Sequence, residues 1–407
     1  MLLMNTDLTA DTRPSVACVS GRRVVDVLSR LDVRSVLLDN PTPLDLACQV
    51  DVPLDVDLDD WDAAEAALRW LHAGRPLDAV FSVYDAHLPL ASYLAARLGT
   101  RGLDLQAALA CHDKIRMRMV LTSGGVRVPD HLPAADPADA AAAAQRLGMP
   151  AVPVVVKKAT GSGGRGSMLC RNPEDVARAV ELFGPGALLV ERAVEGPEYA
   201  VQSITSDGRT EVVGILAQHV GPGPRQAETG YDFPSGLGPE RESEVASFVT
   251  RALAVLGFDH AVSHTQVRLT ADGPVLINVA ARPPGGQLCA ATERVSGIDL
   301  TRAAAEIALG MPVTRGTPTA TRVLYRCVTS ENPGTAWYDL DGIDAPAVTL
   351  DVEPGDSVRS VDDPDGGSYG RIVVYGDDPA ELESRYRAIF ESLRLHVEPD
   401  HQQVMLP

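Results

Sequence analysis

The chain has 407 residues, of which 45% are hydrophobic and 22% charged, and its formal net charge is −19. At roughly 100–200 residues per domain this length suggests two to four globular domains, and the acidic balance without a long basic run argues against a nucleic-acid surface. Six scattered cysteines, Cys18, Cys48, Cys111, Cys170, Cys289 and Cys327, show no C-x-x-C spacing, which argues against a metal cluster or disulfide framework and fits the cytoplasm.

Residues Met1 to Asp7 have neither a basic start nor a long apolar run, so they do not read as a signal peptide. No segment reaches the ~18 apolar residues of a membrane span. From residue 15 to 118, strands and helices alternate. Val16–Val19, Val33–Leu38 and Asp78–Val83 read as strands, and Arg22–Leu31, Trp61–Ala73 and Leu88–Leu98 as helices, the last stopped by Gly99. That succession predicts a small doubly wound α/β domain. Tyr84, Asp85 and His87 follow its third strand and read as a plain loop. A helix carrying Lys114 and Arg118 ends at Gly124-Gly125, and another begins at Asp136-Pro137.

The most informative stretch is Val154-Val-Val-Lys157-Lys158-Ala-Thr-Gly161-Ser162-Gly163-Gly164-Arg165-Gly166-Ser167. Three β-branched residues favour a buried strand. The glycines that follow let backbone N–H groups approach phosphate oxygens without Cβ clashes, and a lysine adds a point charge there. The pattern G-x-G-x-x-G is present, but the loop runs into the apolar Ser167–Cys170 rather than opening a helix, so the dinucleotide fingerprint does not apply. No lysine separates Gly166 from Ser167, so the Walker pattern fails too. Strand, glycine loop and strand together predict a flap over a nucleotide triphosphate.

Asn172 caps a helix opened by Pro173, Leu188–Arg192 is a strand ending in charge, and Asp207-Gly208 is a hairpin turn. Residues 221–239 read as a long glycine- and proline-rich loop containing Glu228, Tyr231 and Pro234; a helix follows to Leu256. A second hairpin turns at Asp272-Gly273, with Gln266 opposite Asn278. Alternation puts Val267, Leu269, Val275, Ile277 and Val279 on a core face. His264, Gln266, Arg268, Asn278 and Arg282 fall on the other face, and Gly285-Gly286 marks a close backbone approach. Residues 315–400 read as β-rich with a last helix from Pro379 to Leu393.

These residues, in this order, resemble the ATP-grasp superfamily, within the group of L-amino-acid ligases (dipeptide synthases). The likeness rests on Asp113-Lys114, the Lys157–Ser167 flap, Glu191, Gly196, Glu198-Tyr199, Glu228-Thr-Gly-Tyr231, Pro234, His264-Thr-Gln266, Ile277-Asn278 and Ala281-Arg282. The resemblance implies an ATP-grasp fold of mixed α/β and α+β class. Its expected parts are an N-terminal α/β domain (1–118), a lid with the glycine flap (119–190), a core (191–314) and a C-terminal α+β lobe (315–407).

It also implies ATP held by Lys114, Lys157, Ser162, Gly163, Gly164, Gly166, Ser167, Glu191 and Glu198. Glu228, Tyr231, Pro234, His264, Arg282, Gly285 and Gly286 would bind substrate, with Arg282 and Lys157 acting in catalysis. The implied reaction joins a small carboxylate to a small amine through an acyl phosphate, in a protein that is a homodimer by expectation and binds neither nucleic acid nor membrane. Where the family places two carboxylates for Mg²⁺, this chain has Gln266 and Asn278. Amide oxygens lack the charge that Mg²⁺ prefers. Three readings follow: metal held mainly by ATP and the amides, carboxylates recruited from Asp85, Glu198 or Glu228, or a protein that binds nucleotide or amino acid without ligation. A different phosphate-dependent reaction on the same fold, such as ring closure, is a further alternative.

Overall fold

The structure, a computed structural model, describes residues 11–161, 166–340, 347–363 and 366–399. A four-stranded parallel sheet comes first, in the order Val52–Asp55, Arg34–Asp39, Ser15–Val19, Ala79–Phe81. Ser15–Val19 is buried along its whole length because both faces are covered. Ala17 and Val19 meet Leu68 and Leu94 of the helices Trp61–Gly74 and Leu88–Leu98. Val16 and Cys18 meet Ala305 and Ala308, from a helix nearly three hundred residues later in the chain. Gly99 has φ 68°, which closes its helix as the sequence predicts.

The lid is a four-stranded antiparallel sheet, ordered His131–Ala134, Leu188–Arg192, Val154–Lys158, Ser167–Cys170. Val154, Val156, Met168 and Cys170 face the helices Pro137–Arg146 and Pro173–Phe183. Asp136 and Asn172 cap those helices through the backbone N–H of Asp139 and Asp175, contacts worth about 1 kcal/mol each. The strand Leu188–Arg192 runs past residue 190, so Glu191 belongs to the lid sheet rather than to the core that follows it.

An eight-stranded sheet forms the centre, in the order Gly273–Ala280, Ala261–Thr270, Glu198–Ser206, Arg209–Val220, Glu228–Phe233, Arg322–Val328, Gly370–Gly376, Val348–Leu350. The helix Pro239–Val255 lays Val245, Phe248, Val249, Ala252 and Leu253 against Val267, Leu276 and Val279 of the sheet, with Met117 and Leu121 beside them. Full burial of each large side chain contributes roughly 1.5–3 kcal/mol. C-terminal residues thus extend the central sheet. They also form a small sheet of Ser357–Val358, Gly334–Trp337 and His396–Pro399, next to the helix Pro379–Ser392.

Two local expectations need correction. The 221–239 stretch contains the strand Glu228–Phe233, because Gly230 to Phe233 find ladder partners in Arg326 to Val323. The helix carrying Lys114 runs Lys114–Ser123 and stops at Gly124 as expected; the Asp113 side chain caps it through Ile115 and Arg116, and a separate helix, Leu105–His112, precedes it. In the second hairpin, Gln266 does face Asn278, but the register shifts at Gln266/Val267, so Val267 pairs with Leu276. The extra residue moves Leu276 into the core and leaves Ile277 only partly buried.

Candidate functional site

The lid sheet, the helix Lys114–Ser123 and the second hairpin meet around Arg118. Glu191 anchors the junction. Its carboxylate is buried and receives the Nε of Arg118, while Lys157 Nζ sits 2.7 Å from its other oxygen. Burial alone pushes the Glu191 carboxyl up, but Arg118 and then Lys157 override it and hold the group below the usual carboxylate range. Arg118 is fully buried and its Nη2 also donates to the Ile277 carbonyl at 2.6 Å. One guanidinium thus joins lid and hairpin, with the bulged residue supplying the acceptor. The strand register that pairs Val155 with Glu191 and Lys157 with Leu189 positions the lysine beside the glutamate.

Lys114 meets the same place from the helix start. Its N–H donates to the Ala159 carbonyl at 2.8 Å and its Nζ to the Gly161 carbonyl at 2.9 Å, at the entrance to the flap. Burial, and then the neighbouring Lys157, lower its pKa to about 8. Arg118 and Lys157 share the buried Glu191, and Lys114 lies close enough to Lys157 to feel its charge. Such an excess of positive charge beside a glycine loop suits an anion with several oxygens. Gly166 has φ +75°, and a Cβ there would lie 2.8 Å from the Lys158 side chain. Ser167 opens the strand that pairs with Lys157. Ser162, Gly163 and Gly164 lie outside the described residues.

The hairpin supplies further polar groups. Arg282 forms an ion pair with Asp85 at 2.6 Å. Asp85 read as a plain loop residue, and only the tertiary contact draws it into the site. Glu198 pairs with Arg268 at 3.0 Å and accepts from Gln266 Nε2 at 3.3 Å, and Gln266 also reaches Gln218 at 3.3 Å. Glu228 is accessible to solvent but walled by protein. Burial raises its carboxyl pKa, the hydrogen bond with Tyr231 opposes this, and Glu198 adds to the rise. Tyr231 is buried edge-on against Tyr325, with ring centroids 5.8 Å apart.

His264 lies 2.9 Å from Gln202 Nε2, and burial and then Arg282 depress its pKa to about 3. Pro234 follows Phe233 through a cis peptide. Gly286 has φ +59°, and a Cβ there would come within 3.0 Å of the Tyr325 hydroxyl. Gly285 is exposed beside it. The sequence names Asp85 only as a carboxylate open to recruitment by a metal, and gives Arg118 no role of its own.

The donor set separates two ligands. The charges of Lys114 and Lys157 fit a triphosphate. A protein-chelated Mg²⁺ does not fit. Among the described residues no three His, Cys, Asp or Glu side chains converge. Gln266 and Asn278 are paired amides, and the nearest carboxylate, Glu198, is already held by Arg268.

Residues 150–291 match the ATP-grasp domain model. The particular relatives lie further off. An uncharacterized protein, y4rH of Sinorhizobium fredii, is 27% identical over 93% of this chain and 81% of its own length. Carnosine synthase 1 of Mus musculus is 28% identical over 58% of this chain, which spans only 31% of that protein. The crystal structure of an L-amino acid ligase from Bacillus licheniformis superposes with TM-score 0.77, covering 95% of this chain and 99% of that one, at 21% identity. The shared architecture is that of the ATP-grasp fold. Among the described residues no helix is long and apolar enough to cross a membrane.

Proposed function

We propose that the protein is an ATP-dependent carboxylate–amine ligase that forms an amide bond between small, amino-acid-like substrates. The observation that carries this reading is the convergence of Lys114 and Lys157 at the entrance to the glycine flap. ATP, when bound, supplies the γ-phosphoryl group that activates the substrate carboxylate toward an amine. Lys114 and Lys157 neutralise phosphate oxygens, and Glu191 with Arg118 keeps the Lys157 ammonium in place. Arg282, oriented by Asp85, offers its remaining N–H groups to a carboxylate. Glu228 and Tyr231 offer an acceptor and a hydroxyl to the second substrate. Positioning and charge neutralisation account for such catalysis. No step is assigned to a protein-bound metal.

The test is release of ADP or phosphate by the purified protein with ATP and pairs drawn from a broad amino-acid panel, with Mg²⁺ or Mn²⁺ supplied. Folded protein that turns over no pair refutes the reading. A second reading, binding without ligation, is favoured by one observation, the amides at Gln266 and Asn278. Calorimetry separates the two: ATP affinity unchanged by Mg²⁺, with no hydrolysis, supports the binder, and turnover removes it.

A further inference from the structure

The lid sheet has an open edge. Its last strand, Ser167–Cys170, pairs on one side only, with Val154–Lys158. On the other side the Leu169 N–H donates to the Pro224 carbonyl at 2.6 Å. Pro224 belongs to the short 221–227 segment between the strands Arg209–Val220 and Glu228–Phe233 of the central sheet. That segment is pinched by Gly221 N–H donating to Ala227 at 2.7 Å and Gln226 N–H donating to Gly223 at 3.0 Å.

Its next residue, Arg225, reaches the C-terminal 361–366 turn. Its Nη1 lies against three carbonyls, those of Val361 at 3.1 Å, Asp363 and Gly366 at 2.7 Å. One guanidinium nitrogen carries two hydrogens, so these bonds are shared, and the charge strengthens them. The segments pack so closely that a Cβ on Gly223 would lie 2.0 Å from Asp362 Oδ1. One residue further on, Gln226 Oε1 accepts from Arg268 Nη2 at 3.3 Å, and Arg268 holds Glu198.

We propose that Arg225 is a positioning residue: it braces the 221–227 segment against the C-terminal turn, so that the Pro224 carbonyl catches the free edge of the lid while Gln226 steadies the Arg268–Glu198 pair. Three consecutive residues thus face lid, C-terminal turn and central sheet. Without the brace, the segment keeps its two internal backbone hydrogen bonds and the Gln226 contact, but Gly221 and Gly223 leave the Pro224 carbonyl freer to swing out of line. The catch itself is independent of any nucleotide. Its consequence for closure over a ligand rests on the ligase reading.

The experiment is residue-resolved hydrogen exchange on the full chain without nucleotide. In the wild type the Leu169 amide is protected although it points out of the sheet. Arg225→Ala speeds exchange at Leu169 by about tenfold, the scale of one lost hydrogen bond, while amides of Val154–Lys158 keep their rates. Arg225→Lys, which retains charge but not the fork, gives an intermediate rate. A Leu169 amide that exchanges in the wild type like a free edge amide overturns the proposal, whether or not the alanine variant folds. Equal acceleration across the whole lid sheet also overturns it, because that marks general destabilisation. ATP titration of the same variants reads the consequence separately. Failure of the wild type to bind ATP counts against the ligase reading and leaves the exchange result standing.

Discussion

The Arg118–Glu191–Lys157 group shows how much one buried carboxylate can decide. Removing one partner strands the other charges in a low-dielectric site, so Glu191→Ala should lower unfolding free energy by about 3–5 kcal/mol, measured by urea titration. Glu191 also predicts a pH response. Its folded pKa is depressed, so its stabilisation is complete above the unfolded value of 4.5 and disappears as pH falls through the folded one. Lys114 adds a response of the same sign at higher pH, for a different reason. Its pKa falls from 10.5 to about 8, so the charged form is disfavoured in the fold and stability rises with pH between those values. ATP affinity should move the other way, weakening from pH 7 to pH 9 as the ammonium is lost. Calorimetry on Lys114→Met should show weak binding with that slope gone. The role expected for Lys157 rested on a lysine beside a glycine loop, which a linear chain displays, whereas that of Lys114 rested on its place at a helix start and on the family resemblance. Asp85 has no such local mark, because its partner Arg282 is 197 residues away.

At the scale of elements, turns and caps were legible because they depend on a few adjacent residues. Asp207-Gly208, Asp272-Gly273, Asn172-Pro173 and Gly99 all act where local chemistry indicates. The bulge at Gln266/Val267 was not legible, since strict alternation assumes an unbroken ladder, and a break depends on what each strand packs against. The hairpin carries its own prediction. Replacing Gln266 and Asn278 together by glutamate puts two carboxylates on directly paired positions. The double variant should bind Mn²⁺ at least about tenfold more tightly than the wild type, as hard anionic oxygens replace amides. Electron paramagnetic resonance of Mn²⁺ in the absence of ATP is the measurement, and equal affinities would show that the pair does not share a metal position. Gly196 is the rigid point beneath the hairpin. With φ +127°, its added Cβ would lie 2.4 Å from the Leu269 carbonyl oxygen, which is backbone and cannot swing aside. Gly196→Ala should therefore cost at least about 1–3 kcal/mol, read as a lowered thermal midpoint.

Over the whole molecule, distant segments meet through a few charged contacts. Asp85 leaves the N-terminal sheet to meet Arg282, and Arg23 Nη1 donates to the Pro284 carbonyl at 3.0 Å. Asp85→Asn keeps the shape but frees Arg282 from its counter-charge. If Arg282 orients the substrate carboxylate, KM for the acid should rise about tenfold with a smaller change in KM for ATP; steady-state kinetics with each substrate varied would show it, and equal changes in both would place Arg282 elsewhere. The order of α/β domain, glycine flap and polar hairpin was readable from the chain because periodicity, glycine and charge are properties of neighbours along it. The tertiary structure alone decided that Arg118 ties lid to hairpin, that Asp85 turns Arg282, and that C-terminal strands finish the central sheet. Those contacts join residues scores to hundreds of positions apart, and no local pattern encodes a partner that only folding brings within reach.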